Sequence, residues 1–149
     1  MTLVAADGSG RPGPSGPTIV RASTTGTAVF VVTSAGAVLV GGTLRAVAVA
    51  VYLGLFTLGC GAFLWAFFVA LERSRTVAIG IGGLFFLAGC AQPGVRRRMM
   101  VLFAVQVVVG VAAASAVPYT AVAASVLVPV YGLGLAGLWG AHHGRFDDR

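Results

Sequence analysis

Apolar residues run through this chain in long unbroken stretches, and polar or charged residues stand at the ends of those stretches instead of recurring within them. Residues 46–71 make 26 consecutive positions without a charge, flanked by Arg45 and Glu72. A helix at the surface of a water-soluble domain would carry polar residues every third or fourth position on one face, and no such face exists here. At about 1.5 Å per residue the stretch gives about 39 Å of helix, enough to cross a hydrocarbon core of about 30 Å with tilt. The pattern predicts an all-α polytopic membrane helix bundle.

Four spans follow from the same reading, over residues 22–40, 46–71, 99–117 and 120–140. Gly41, Gly42, Thr43, Leu44 and Arg45 make a tight turn between the first two, and Pro118 and Tyr119 separate the last two. Residues 1–18 are too rich in Gly, Pro and Ser to bury apolar surface and are expected to form a disordered tail. The transmembrane domain then covers residues 19–141, with a short polar tail at 142–149. The first clear apolar run begins only after Arg21, so a cleaved signal peptide is not expected.

Residues 77–91 are ambiguous. Fifteen residues are short for a span, and they include Gly80, Gly82, Gly83 and Gly89 before closing on Gln92, Pro93 and Gly94. Charge decides between the readings. If this segment does not cross, Arg73, Arg75, Arg96, Arg97 and Arg98 share one side with both termini, and nine arginines face Arg45 alone. If it crosses, the better split is six against four, which carries little orienting information. The sequence therefore favours four crossings with a Gly-rich re-entrant or interfacial segment, and a short, tilted fifth helix is the alternative. The five central arginines are the topology-determining residues, and the majority side is expected to be cytoplasmic.

Composition narrows the function. Only 9% of residues are charged and 58% are hydrophobic, all ten basic residues are arginine, and the formal net charge is +6. In a soluble protein that charge would suggest nucleic acid, but arginines at helix ends meet lipid headgroups, so no nucleic acid is expected as a partner. Cys60 and Cys90 lie in apolar stretches and imply neither a disulfide framework nor a metal site. The four acidic residues, Asp7, Glu72, Asp147 and Asp148, sit in the tail or at helix ends, so no carboxylate pair is placed for acid–base catalysis. His142 and His143 could suggest a metal, yet neighbours on a helix point apart, and a wet, basic helix end is the plainer reading. No enzyme, metal or cofactor is expected.

Small residues recur at helical spacing: Gly54, Thr57 and Gly61 in the second span, Gln106, Gly110 and Ala114 in the next, and Ser125, Gly132, Ala136 and Gly140 in the last. Such stripes let helix backbones approach in lipid, either within the bundle or against a partner helix or second copy. Gln106 is the one strongly polar side chain well inside a span; its amide needs a hydrogen-bonding partner there, as interhelical glue or as a ligand contact. The middle of every span lacks Asp, Glu, Lys, Arg and His, which argues against an ion-coupled pump or transporter acting alone. Trp65 and Trp139 fall toward one end as interfacial anchors should.

Arg73, Ser74 and Arg75 with the run at 78–87, and the ending at 132–144, resemble a group of small integral membrane proteins from actinobacteria that has no established activity. The likeness covers roughly residues 45–145. It implies a bacterial cell-membrane location and a high-GC source, consistent with the arginine bias, and carries over no catalytic residue. The function expected is that of a non-enzymatic accessory, assembly or scaffold component of a membrane complex, in contact with the lipid bilayer and with another membrane protein or a homo-oligomer. A small oligomeric transporter or channel component is the alternative.

Overall fold

The computed structural model describes residues 15–75 and 80–145, which are helical and contain no strand. The elements are α1 (Gly16–Leu39), α2 (Thr43–Arg73), α3 (Ile81–Phe86), α4 (Pro93–Ala116), a 3₁₀ segment (Ala121–Leu127) and α5 (Pro129–His143). Four helical stretches are long and apolar enough to cross a membrane: α1, α2, α4, and the 3₁₀ segment continued by α5. The fold class is the one the apolar pattern predicts, a four-span bundle with a short additional helix.

Two helices start earlier than the apolar runs suggest, for a shared reason. Pro17 and Pro93 stand in the first turns of α1 and α4, where a missing N–H leaves nothing unpaired and the fixed φ suits the helix. The carbonyl of Ser15 accepts from the N–H groups of Thr18 and Ile19 at 2.9 and 3.2 Å, so residues 16–18, assigned to the tail, are helical. Likewise Arg96, Arg97 and Arg98 lie within α4, and His142 and His143, assigned to the polar tail, form the last turn of α5. The remainder of both tails, residues 1–14 and 146–149, and residues 76–79 of the ambiguous segment lie outside the described residues.

The last span is not the continuous helix expected over 120–140. Pro129 cannot donate to the carbonyl four residues back, and the preceding turns bond three residues back instead, as in Val128 N–H to the Ser125 carbonyl at 3.2 Å. A 3₁₀ segment rises about 2.0 Å per residue, so the composite span still reaches about 37 Å.

α5 is the axis of the bundle. Every residue from Gly134 to Ala141 is buried, and the other helices close on it through its glycines. A Cβ at Gly134 would meet the carbonyl oxygen of Gly59 in α2; at Gly137 it would lie 2.5 Å from the Phe85 ring of α3; at Gly140 it would lie 2.5 Å from the Leu84 carbonyl. Gly132 faces Gln106 of α4, while the Tyr131 ring covers Gly26 of α1.

α3 does not cross. Arg73, at the end of α2, donates to the carbonyls of Ala141 and Gly144, and the N–H of Arg145 donates to the Cys90 carbonyl at 3.0 Å. The connection from α2 to α4 thus begins and ends beside the C-terminus of α5. Between those points it dips into the bundle: Phe85 stacks on Phe63 with ring centroids 4.5 Å apart. Phe63 precedes Arg73 by ten residues, which places this stack about 15 Å along α2 from that end. The segment returns through Leu87, fully buried in the left-handed region at φ 52°, and the Cys90 thiol donates to the Gly83 carbonyl at 2.9 Å.

At the opposite end, Gly41 at φ +74° turns the chain out of α1 and sends its N–H back to the Gly36 carbonyl. Arg45 caps the same helix end through Nε to the Ala37 carbonyl at 3.3 Å. Among the described residues, Arg45 stands at one end of the bundle, and Arg21, Arg73, Arg75, Arg96, Arg97, Arg98 and Arg145 stand toward the other.

Gly59→Leu and Gly134→Leu are expected to destabilise the purified protein by about 3 kcal/mol or more, since backbone atoms cannot give way as a side chain would. Gly61→Leu, which has no atom within 4 Å of the added position, is expected to melt within about 0.5 kcal/mol of the parent. Thermal unfolding in mild detergent checks this, and an equal loss at Gly61 contradicts it.

Candidate functional site

The small-residue stripes divide into two kinds. In the last span Ser125, Gly132, Ala136 and Gly140 are all buried, as are Gln106 and Gly110 in α4, while Ala114 is half-buried and Ala113 takes the inward position beside it. In α2 the stripe points the other way. Gly54, Thr57 and Gly61 are exposed, with open space at both glycines, and Thr57 bonds only the Leu53 carbonyl of its own helix. The packing face of α2 is formed by Ala48, Tyr52, Gly59, Ala66 and Ala70. Gly59 sits 2.5 Å, measured from an ideal Cβ, from the Tyr131 Cα, and the sequence reading did not single it out.

Gln106 is fully buried, and both ends of its amide are used. Nε2 donates to Thr27 Oγ1 at 2.7 Å, and Oε1 accepts from the Gly132 N–H at 3.1 Å, so one side chain ties α1, α4 and α5. The Thr27 hydroxyl in turn donates to the Ser23 carbonyl at 2.8 Å, leaving its oxygen free to accept from the amide. Similar single ties join three further pairs: Tyr52 OH to Ser34 Oγ at 2.9 Å, Ser125 Oγ to the Gly110 carbonyl at 2.8 Å, and Tyr131 OH to the Ala22 carbonyl at 2.7 Å. Of the two roles open to Gln106, the geometry is that of interhelical glue.

The concave feature of greatest chemical interest lies at the arginine-rich end. A cavity of about 870 Å³ opens between the starts of α1 and α4 and the end of α5. Arg21, Arg98 and Arg145 line it, with Gln92 on the loop and Val20, Val95 and Trp139 on its apolar side. Arg98 Nη2 lies 3.4 Å from Thr24 Oγ1 and spans from α4 to α1. His143 stacks on Trp139 with centroids 5.6 Å apart, whereas His142 turns toward Trp65, centroids 6.2 Å apart. The two histidines thus face different rings, and among the described residues no group of three or more His, Cys, Asp or Glu is arranged to hold a metal. Both tryptophans do lie at this end, but only Trp65 is exposed; Trp139 is buried beneath His143.

Cys90, on the loop beside the cavity, is 5% exposed. Burial pushes its thiol up from the ordinary range, outweighing the opposing effects of its backbone hydrogen bond and of the charges on Arg96 and Arg73. The same shift favours the thiol form that donates to the Gly83 carbonyl. Arg21 and Arg145 entered the sequence reading only as charges; their convergence with Arg98 needs the three helix ends brought together, which no spacing along the chain reveals.

No protein-family model matches this chain, and no curated protein or solved structure is similar to it.

Gln106→Leu is expected to lower stability by about 1–3 kcal/mol, because it leaves the Gly132 N–H without its acceptor inside the bundle. Gln106→Glu is expected to be worse, since it places a carboxyl group where Nε2 must donate. Unfolding midpoints in one detergent measure both, and a Gln106→Leu protein as stable as the parent contradicts the role.

Proposed function

We propose that this chain is a non-enzymatic accessory or assembly component of a bacterial plasma membrane, oriented with its arginine-rich end and both termini in the cytoplasm. The observation that carries the reading is the outward face of α2. Elsewhere in the bundle, small residues at helical spacing are used where backbones meet; Gly54, Thr57 and Gly61 repeat that pattern on an exposed face, and among the described residues nothing lies within 4 Å of a Cβ added at either glycine. A shallow, glycine-lined helix face is filled better by another helix than by lipid tails, because close backbone approach is the main source of attraction in hydrocarbon. The occupant is a helix of another membrane protein or of a second copy. The orientation rests on the arginine asymmetry, and the absence of enzymatic activity on the sequence, which offers four carboxylates in all, each in a tail or at a helix end.

A second reading, as part of a small oligomeric transporter or channel, is favoured by two features: a last span broken at Val128 and Pro129, and a segment that enters and leaves from one end. Transport pathways are often built from such interrupted backbone. Against it, the polar groups nearest the break, Ser125 and Gln106, are already bonded within the bundle.

Cysteine crosslinking in native membranes through position 54 is expected to trap the chain in a species above monomer mass, and Gly61→Leu to abolish that species without altering the melting temperature. A parent protein that stays monomeric, or a Gly61→Leu protein that crosslinks as before, contradicts the assembly reading.

A further inference from the structure

The arginine-lined cavity is a second feature, independent of the α2 face. Three guanidinium groups from three separate elements converge on it: Arg21 from the second turn of α1, Arg98 from the second turn of α4, and Arg145 just beyond α5. Among the described residues, no carboxylate lines the cavity. All three side chains are exposed, so their summed positive field is open to an anion arriving from solvent or from the membrane surface.

The backbone adds to the same sign. α1 and α4 both start at this mouth, and neither has a side-chain cap or an acidic residue in its first turn. The positive ends of two helix dipoles therefore stand with the arginines instead of opposing them. Arginines in the opening turns of α4 are the reverse of the placement that a helix dipole favours, and a bound anion would relieve that conflict.

The remaining wall is mixed, with His143 and Gln92 as its polar members. Val20, Val95 and Trp139 face the cavity alongside the guanidinium groups, so a charged group and hydrocarbon can be held together. The volume of about 870 Å³ falls in the range of sites for small organic ligands and is far larger than a single ion requires. Guanidinium groups match phosphate oxygens two at a time, and basic pockets between membrane helices suit phospholipid headgroups.

We propose that this cavity binds a phosphate group, borne by an anionic phospholipid headgroup or by a soluble phosphate compound. Arg21 and Arg98 grip the phosphate from opposite helices, Arg145 closes the third side, and Val20, Val95 and Trp139 take the hydrocarbon adjoining it. Occupation would hold the starts of α1 and α4 together at the membrane surface.

The test uses the full chain in nanodiscs of phosphatidylglycerol or phosphatidylcholine, with retained lipid counted by native mass spectrometry. Phosphatidylglycerol is expected to be retained over phosphatidylcholine, and the Arg21→Gln/Arg98→Gln protein to bind it about tenfold more weakly or less. Arg75→Gln/Arg97→Gln removes the same charge from exposed positions outside the cavity and is expected to stay within about twofold of the parent. A separate arm titrates inorganic phosphate against Trp139 fluorescence in a Trp65→Phe background. A response there that Arg21→Gln/Arg98→Gln abolishes assigns the site to soluble phosphates, whereas retention of lipid without that response assigns it to the headgroup. Should the glutamine pair fail to fold, Arg21→Lys/Arg98→Lys decides: it keeps the charge but loses two-point contacts, and binding several-fold weaker than in Arg75→Lys/Arg97→Lys is expected. Failure of both probes to bind, or equal effects of the cavity and surface pairs, overturns the proposal.

Discussion

Gly134 of α5 lies against the carbonyl oxygen of Gly59 in α2 with no side chain between the two backbones. In water two helices are driven together by the apolar surface they hide, but in hydrocarbon that drive is absent and the contact itself must supply the attraction. Dispersion falls away steeply with separation, so it accumulates only where backbones come close along a whole face. α5 achieves this on several sides at once: Gly132 toward α4, Gly134 toward α2, and Gly137 and Gly140 toward α3. A helix with larger residues at these positions could keep one neighbour and would expel the others.

The polar ties have a different task. Each helix pair carries few of them, and each is a single well-formed hydrogen bond, such as Gln106 to Thr27 or Tyr52 to Ser34. In membranes a bond of this kind adds only a modest energy, because the separated helices also find partners for their polar groups. What it fixes is rotation and register: Gln106 reaches Thr27 and Gly132 together only when α1, α4 and α5 present particular faces to one another. Packing thus supplies the strength of the bundle, and the polar ties select the arrangement. The same economy of polar groups leaves the arginine-rich end as the place where charge, cavity and exposed helix starts coincide.

The four long apolar helices and the short one between α2 and α4 were legible because both rest on transfer energies that sequence states directly: long uncharged runs suit hydrocarbon, and a glycine-rich stretch of 15 residues is short for a span. Which face of each span turns inward was less legible. α2 is apolar on all sides, so hydropathy gives no direction, and small residues occur on two faces; Gly54, Thr57 and Gly61 look as suited to packing as Gly59 does until α5 is in place. In α4 the inward face has a visible marker in Gln106, whose amide needs a partner. The break in the last span had a visible sign in Pro129, whose missing N–H forces the change to 3₁₀ geometry. The early starts of α1 and α4 had theirs in Pro17 and Pro93. The cavity had none, since its three arginines are brought together only by the closure of the helices around α5.

Single-cysteine labelling from each side of the membrane, in a background lacking Cys60 and Cys90, tests the account most directly. Cysteines at Ser74, Gly94 and Gly144 are predicted to react with an impermeant reagent from one side, and a cysteine at Tyr119 from the other. Reaction of Ser74 and Gly94 from opposite sides would contradict it, because the chain between them would then cross the membrane and α3 could not return to the same end of α5.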